Sequence, residues 1–595
     1  MDMNDPTSRI KSLLSSLYGE QAAASIHTAL SERMAAFRAG LPQGAEVAAP
    51  GDAAPPEQGR LSERDAILIT YGDQFRAPGE SPLRTLHAFL DDHLHDAIDG
   101  VHILPCFPYS SDDGFSVIDY RQVDPELGDW ADVAALGEGY RLMFDFVANH
   151  ISQHSAWFAA FRRGEAPYTD YFITVDPAVD LSEVVRPRAL PLLTPVETAH
   201  GLRHVWTTFS ADQIDLNYAN PDVLLEMTGV LLHYVSHGAE IIRLDAIAYL
   251  WKEIGTPCIH LLEAHVVVKL WRAVLDAVAP HVLLITETNV PHADNISYFG
   301  APLPETGGTD EAQMVYNFSL APLALHTLLT GDASLLSQWA AGLKPPSAGA
   351  TFFNFIASHD GIGVMPARGI LDEAQVQALV DRTLAHGGQV SHKANPDGST
   401  SVYELNVTLY DFLNDPARPD PAVDVARFLA SQAILLSLAG VPGIYVHSLF
   451  GSRNCHDCFA ETERARSLNR HKFDRAEIEA ALTDPDLHTG QVFDGYRSML
   501  QVRRAEPAFH PAGEQQVLEL GPAVFAVLRT PPDAGRGQPV LCLQSVSSAP
   551  QTVTLKAGLL GGNRCHDLFT GTEYGAETGA AEIPLAGYQT CWLAL

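Results

Sequence analysis

Eight short apolar runs, most of them hydrophobic at nearly every position, constrain this chain more than any other feature. They are AILITYG (66–72), VHILPCF (101–107), RLMFDFV (141–147), EIIRLDA (240–246), VLLITET (282–288), MVYNFSL (314–320), TFFNFIASHD (351–360) and VPGIYVH (441–447). A strand with one face in water alternates apolar and polar residues, whereas a strand buried on both faces is apolar throughout. Several of the runs are separated by amphipathic stretches of helical length, such as DVLLEMTGVLLHYVSHG and HVVVKLWRAVLDAVA. That alternation predicts a parallel sheet with crossover helices, and eight strands predict an α/β (β/α)8 TIM barrel.

The barrel accounts for only part of 595 residues. Residues 1–64 read as a helical N-terminal extension, ending in the Pro- and Ala-rich loop GAEVAAPGDAAPPEQG. Segments 65–150, 221–360 and 426–510 carry the barrel. Between them, 151–220 and 361–425 are far too long for simple crossovers and read as inserted subdomains. Both follow the C-terminal ends of strands, where barrel active sites lie. From 511 to 595 short strands alternate with turn signals, which predicts a C-terminal all-β domain.

Charge excludes some function classes. With 72 acidic and 38 basic residues the net charge is −34, a surface that repels nucleic acid and anionic membranes. Two readings of that surface stay open: a solvated acidic shell, or adaptation to high salt. No apolar run reaches the roughly 20 residues of a membrane span. The N-terminus MDMNDPTSRIKSLL lacks the apolar core of a signal peptide. The seven scattered cysteines read as reduced thiols of a cytoplasmic protein. Cys455-His-Asp-Cys458 has a metal or redox spacing. No second ligand pair accompanies it, so it reads as two loop cysteines.

Polar residues stand where barrel strands should end: Asp145 with Asn149-His150, Arg243 with Asp245, Glu287, and Ser358-His359-Asp360. Arg243 and Asp245 are two apart on one strand and so share a side. The guanidinium should hold the carboxylate ionised, fit for attack at an anomeric carbon. Glu287 can then protonate a leaving oxygen. Carboxyls about 5 Å apart would make such a reaction retaining.

FDFVANH (144–150), IIRLDA (241–246), ITETN (285–289) and ASHD (357–360), in that order, resemble the four signature motifs of the α-amylase family. SSDDGFSVIDYRQVDPELGDW (110–130), FSADQIDLNYANP (209–221), SHDGIGV (358–364), GVPGIYVHSLFGSRN (440–454) and SLNRHKF (467–473) are similar to the sucrose phosphorylase group. LPLLTPVETAHGLRHVWTTFSADQIDLNYANP and HSLFGSRN look like its glucosylglycerate phosphorylase branch.

The resemblance implies Asp245 as nucleophile, Glu287 as acid/base and Asp360 as transition-state stabiliser. It implies glucose contacts from His150, His359 and Gln213, an aromatic platform from Phe115, and orientation of the nucleophile by Arg243. Asp112 and Arg470 would hold the far edge of the ring, with Asp113 one register away. Inorganic phosphate is the expected co-substrate and α-glucose 1-phosphate the product. No cofactor and no metal is expected, although amylases often hold calcium near the position of Asn149. A homodimer is compatible with the resemblance. Glucosylglycerate is the favoured α-glucoside, with sucrose and glucosylglycerol open; an α-glucosidase or transglucosidase is the alternative. A carboxylate acceptor wants a cation, and Arg368, His392, Lys393, Arg453, Arg464 and Arg466 stand as unsorted candidates.

Overall fold

The computed structural model describes residues 6–41, 61–303, 307–395, 398–533, 535–559, 564–575 and 579–595. The Pro- and Ala-rich stretch 44–59 lies outside them. Eight parallel strands close a barrel: β1 (Ile67–Thr70), β2 (Gly100–Ile103), β3 (Arg141–Val147), β4 (Ala239–Asp245), β5 (Leu283–Thr286), β6 (Met314–Asn317), β7 (Thr351–Asn354) and β8 (Val441–Tyr445). Each pairs in parallel with its neighbours, and β1 against β8 completes the ring. All eight apolar runs are barrel strands, buried along nearly their whole length. Their continuous hydrophobicity follows from packing on both faces.

Most runs reach beyond the strands they contain, and the sixth and seventh show what the extra residues do. The sixth stops at Asn317, and the seventh stops at Asn354. Phe355, Ile356 and Ala357 stay buried without continuing the ladder. Ser358, His359 and Asp360 therefore sit on a loop above β7 rather than at its end. Burial alone kept the run apolar, and the sequence pattern could not separate burial from pairing.

The loop between β3 and the helix Pro221–Ser236 carries two antiparallel pairs, His150–Ser152 with Gln213–Asp215 and Leu193–Thr198 with Gly201–Trp206. It has a small core of its own around Val175, Leu192 and Trp206. After β7 a second insertion forms a three-stranded sheet of Ile362–Gly363, Thr400–Asn406 and Gln389–Ala394. Its helix Glu373–Ala385 begins in a capping box between Asp372 and Gln375. Both insertions stand over the C-terminal rim. The last residues form a six-stranded sheet with a two-stranded partner, around Leu541, Leu543, Ile583 and Leu593.

The N-terminal helix Pro6–Gly40, broken at Gly19, lies along the outside of the barrel. Ile10, Leu14, Ile26, Leu30 and Met34 are buried, and Arg9–Asp276 and Arg33–Glu226 ion pairs fasten it. No helix among the described residues is long and apolar enough to cross a membrane.

Cys455 and Cys458 correct the sequence reading. They are joined in a disulfide, with Cα atoms 5.3 Å apart. Cys455 caps the helix His456–Thr462, and a first helical turn brings positions three apart together. The other five cysteines are free and buried.

Candidate active site

Arg243 is the foundation of the rim. It is 1% exposed and lies under the pocket, donating to Asp145 on β3 and, at 2.8 Å, to Asp245 at the end of β4. Asp145 is held in turn by His102 of β2 at 2.7 Å. The aromatic faces of Phe115 and Tyr316 flank the guanidinium, 5.5 and 5.4 Å from their centroids. A cation so enclosed cannot shed its charge, so it fixes the carboxylates around it.

Above it opens a pocket lined by Asp112, Phe115, His150, Gln213, Asp245, Glu287, His359 and Asp360. Eight of the ten residues expected in the site thus share one cavity. Arg243 lies beneath it, and Arg470 stands beside it in the outer vestibule. His359 stacks on Phe115 with centroids 5.0 Å apart and planes 2° from parallel. Both nitrogens of that buried ring lack a hydrogen-bond partner, a cost that a bound polyol can remove. His150 Nε2 donates to the Phe115 carbonyl at 2.8 Å and lies 3.1 Å from the Gln213 amide nitrogen. Burial keeps both histidines neutral, His359 most strongly.

Burial acts against the charge on Asp245 that Arg243 favours. Burial lifts its carboxyl well above the ordinary range; Arg243 opposes this, while Glu287, Asp145 and Asp360 add to it. Burial likewise raises Glu287, against Arg243. Two carboxyls around one buried cation do not both ionise readily, so the pair retains a proton. Arg243 is 2.8 Å from Asp245 and 3.8 Å from Glu287, which favours the negative charge on Asp245 and the proton on Glu287. The backbone N–H of Ala246 donates to Glu287 at 3.2 Å and, like Arg243, works against that proton, which burial retains. Such a pair suits one nucleophile and one general acid.

Asp360 behaves oppositely. Burial works to raise it, but Arg466, His359, Arg470 and Arg243 overcome that and hold it well below the usual carboxylate range. Arg466 pairs with Asp360 through one nitrogen and with Glu404 through two others, at 3.2 and 2.7 Å. Glu404 and Tyr403 come from the second insertion, and Arg188 from the first; all line the pocket. Arg466 had been one of six unsorted cations. Tyr403, Glu404 and Arg188 were missed. The only trace of them in the sequence is a placement within the two long insertions. Of the other five cations, Arg464 faces the vestibule with Arg188 and Arg466. Arg453 is turned to Asp411, at 2.8 Å. Arg368, His392 and Lys393 do not line the pocket.

Asp112 and Asp113 divide the role given to Asp112. Arg470 pairs with Asp113 at 2.5 Å and lies 3.8 Å from Asp112. Asp112, however, is the one that lines the pocket. Both adopt left-handed backbone, as does Gly114, where a Cβ would lie 2.6 Å from the Pro105 carbonyl. That tight turn sends neighbouring carboxylates in different directions. Asp112→Ala is expected to raise the glucoside KM by about 10- to 100-fold, the worth of a charge-assisted hydrogen bond. Asp113→Ala should instead lower kcat by loosening Arg470, which steady-state kinetics on the two variants will separate.

Asn149, beside the calcium position of amylases, is occupied by protein. Lys252 Nζ donates to Asn149 Oδ1 at 2.7 Å and pairs with Asp215 Oδ2 at 2.6 Å. Lys252 and Asp215 are essentially buried, at 3% and 0% side-chain exposure. The ammonium already takes the oxygens a calcium ion would need, so these residues do not fit that metal.

An α-amylase catalytic-domain model matches residues 92–341. The glucosylglycerate phosphorylase of Allomeiothermus silvanus is 54% identical over 499 residues, 84% of this chain and 88% of that one. That of Spirochaeta thermophila is 48% identical over 596 residues, 99% of each chain. Among solved structures, sucrose 6F-phosphate phosphorylase from Thermoanaerobacter thermosaccharolyticum superposes with a TM-score of 0.70 at 25% identity, covering 88% of this chain and 98% of its own. The chain belongs to the α-amylase family and, within it, to the group of glucosylglycerate and sucrose phosphorylases.

Proposed function

We propose that the protein is a retaining phosphorylase that converts α-glucosylglycerate and inorganic phosphate to α-glucose 1-phosphate and glycerate, reversibly. The observation that carries this reading is the 48% identity to a glucosylglycerate phosphorylase across 99% of both chains. The pocket supports the chemistry. Asp245 attacks the anomeric carbon while Glu287 gives its proton to the departing glycerate oxygen. Asp360 offsets the positive charge that develops on the sugar. A phosphate oxygen then attacks the glucosyl-Asp245 ester from the vacated side, and Glu287 regains its proton.

Both leaving group and incoming nucleophile are anions, so one cationic wall serves both half-reactions. Arg188, Arg464 and Arg466 supply it where pocket meets vestibule. Arg466 is committed to Asp360 and Glu404, which leaves Arg188, 3.9 Å from Glu404, the freer of the two that reach the pocket. Arg188→Gln should raise the KM for phosphate by about 10- to 100-fold. Initial rates at saturating glucoside with phosphate varied will show it, and an unchanged KM would remove Arg188 from this role.

The function is tested by incubating the protein with phosphate and, separately, glucosylglycerate, sucrose and glucosylglycerol. α-Glucose 1-phosphate should accumulate fastest from glucosylglycerate. Preference for sucrose would make it a sucrose phosphorylase instead. Free glucose released at a rate indifferent to phosphate would make it a glucosidase or transglucosidase.

A further inference from the structure

Arg466 and Arg470 belong to one loop, and its two ends meet in a cluster the active site does not use. Cys455 and Cys458 open the loop, and His471 follows Arg470 at its close. His471 Nδ1 is 3.7 Å from Cys455 Sγ and 3.6 Å from Cys458 Sγ, and all three ligand atoms lie within 4.8 Å of one another. We propose that Cys455, Cys458 and His471, once the disulfide is reduced, form a binding site for a thiophilic divalent cation of the zinc class.

The distances argue for it. With Zn–S about 2.3 Å and Zn–N about 2.0 Å, ligand atoms around a tetrahedral ion stand roughly 3.5–3.8 Å apart. Both sulfur–nitrogen edges already have that length. Only the sulfur–sulfur edge has to open. The ligand set, two thiolates and an imidazole, is borderline-soft, as zinc prefers. The sulfurs are partly exposed and His471 is exposed, so the ion can enter and solvent can fill a fourth position. His471 is the ligand missing from the sequence reading, thirteen residues beyond Cys458.

Opening the site takes two electrons and two protons. An external dithiol provides them, becoming a disulfide as Cys455 and Cys458 become thiols. Metal binding then releases the two thiol protons to solvent. A bound ion would join the first residue of the loop to the last, which the disulfide between Cys455 and Cys458 does not do. The backbone already narrows the gap, since Cys455 N–H donates to the Leu468 carbonyl at 2.8 Å. Arg466 and Arg470 lie inside the closed segment, so the ion would steady both.

The whole protein, reduced with a dithiol and freed of it under nitrogen, is titrated with Co²⁺. One equivalent should bind, with an intense thiolate-to-cobalt charge-transfer band that Zn²⁺ displaces. Cys458→Ser and His471→Ala should each weaken binding by about tenfold or more. Because His471 is exposed, its variant tests the site even if the cysteine variant folds poorly. Absence of a stoichiometric band, binding unchanged in His471→Ala, or a disulfide that resists reduction in the folded protein would each overturn the assignment.

Discussion

Asp245→Asn abolishes phosphorolysis, lowering kcat on the order of 10⁴-fold or more, while the fold remains. The asparagine keeps an oxygen for Arg243, which still has Asp145, so the barrel rim loses no cation partner. A second outcome distinguishes this reading from simple damage. Burial raises the folded-state pKa of Asp245, so the folded chain holds that proton more tightly than the unfolded chain does. Above the unfolded value, about 3.9, ionisation of this group therefore favours unfolding. The wild type carries that penalty at neutral pH and the variant does not. Asp245→Asn should melt at or above the wild-type temperature at pH 7, with the difference closing as pH falls below about 4. Turnover near the wild-type rate would end the nucleophile assignment. A large fall in melting temperature at pH 7 would mean that the carboxylate stabilises the fold.

Lys252→Met is expected to cost roughly 3–5 kcal/mol of stability, the price of leaving a buried charge without its partner. Asp215 is fully buried, and its remaining donors, Thr208 at 2.9 and 2.6 Å and Asn149 at 3.1 Å, are neutral. Asp215 belongs to the first insertion, Asn149 follows β3, and Lys252 follows β4. Losing the ammonium thus loosens the roof from the barrel. Denaturant melts should show the drop, and the double variant Lys252→Met/Asp215→Asn should recover much of it, because no charge is then stranded. Added calcium should leave the wild-type curve unchanged. A single variant as stable as the wild type would show that this ion pair contributes little.

Much of the barrel was legible because its strands face apolar surroundings on both sides, a pattern few other folds demand. The positions of Arg243, Asp245 and Glu287 follow from strand ends, where side-chain direction is fixed by period two. Legibility fell where structure depends on distant chain segments. Nothing near Glu404 says that an arginine more than sixty residues on will meet it. Asp112 and Asp113 are adjacent and chemically equal, so only the left-handed turn tells them apart. The proton held between Asp245 and Glu287 is not legible in the sequence, because pair spacing is local, whereas burial is a property of the closed pocket. The Cys455–Cys458 pair was read as open loop because the short helix that aligns its sulfurs has no strong sequence signal.

Arg466 grips Asp360 beside the barrel and Glu404 on the second insertion, so one guanidinium serves two regions of the chain. For anyone recombining members of this group, the segment 361–425 is consequently not a free module. A chimera that imports it with a different residue at position 404 inherits a mismatched hold on Asp360. The unit to exchange is that insertion together with the turn 464–470.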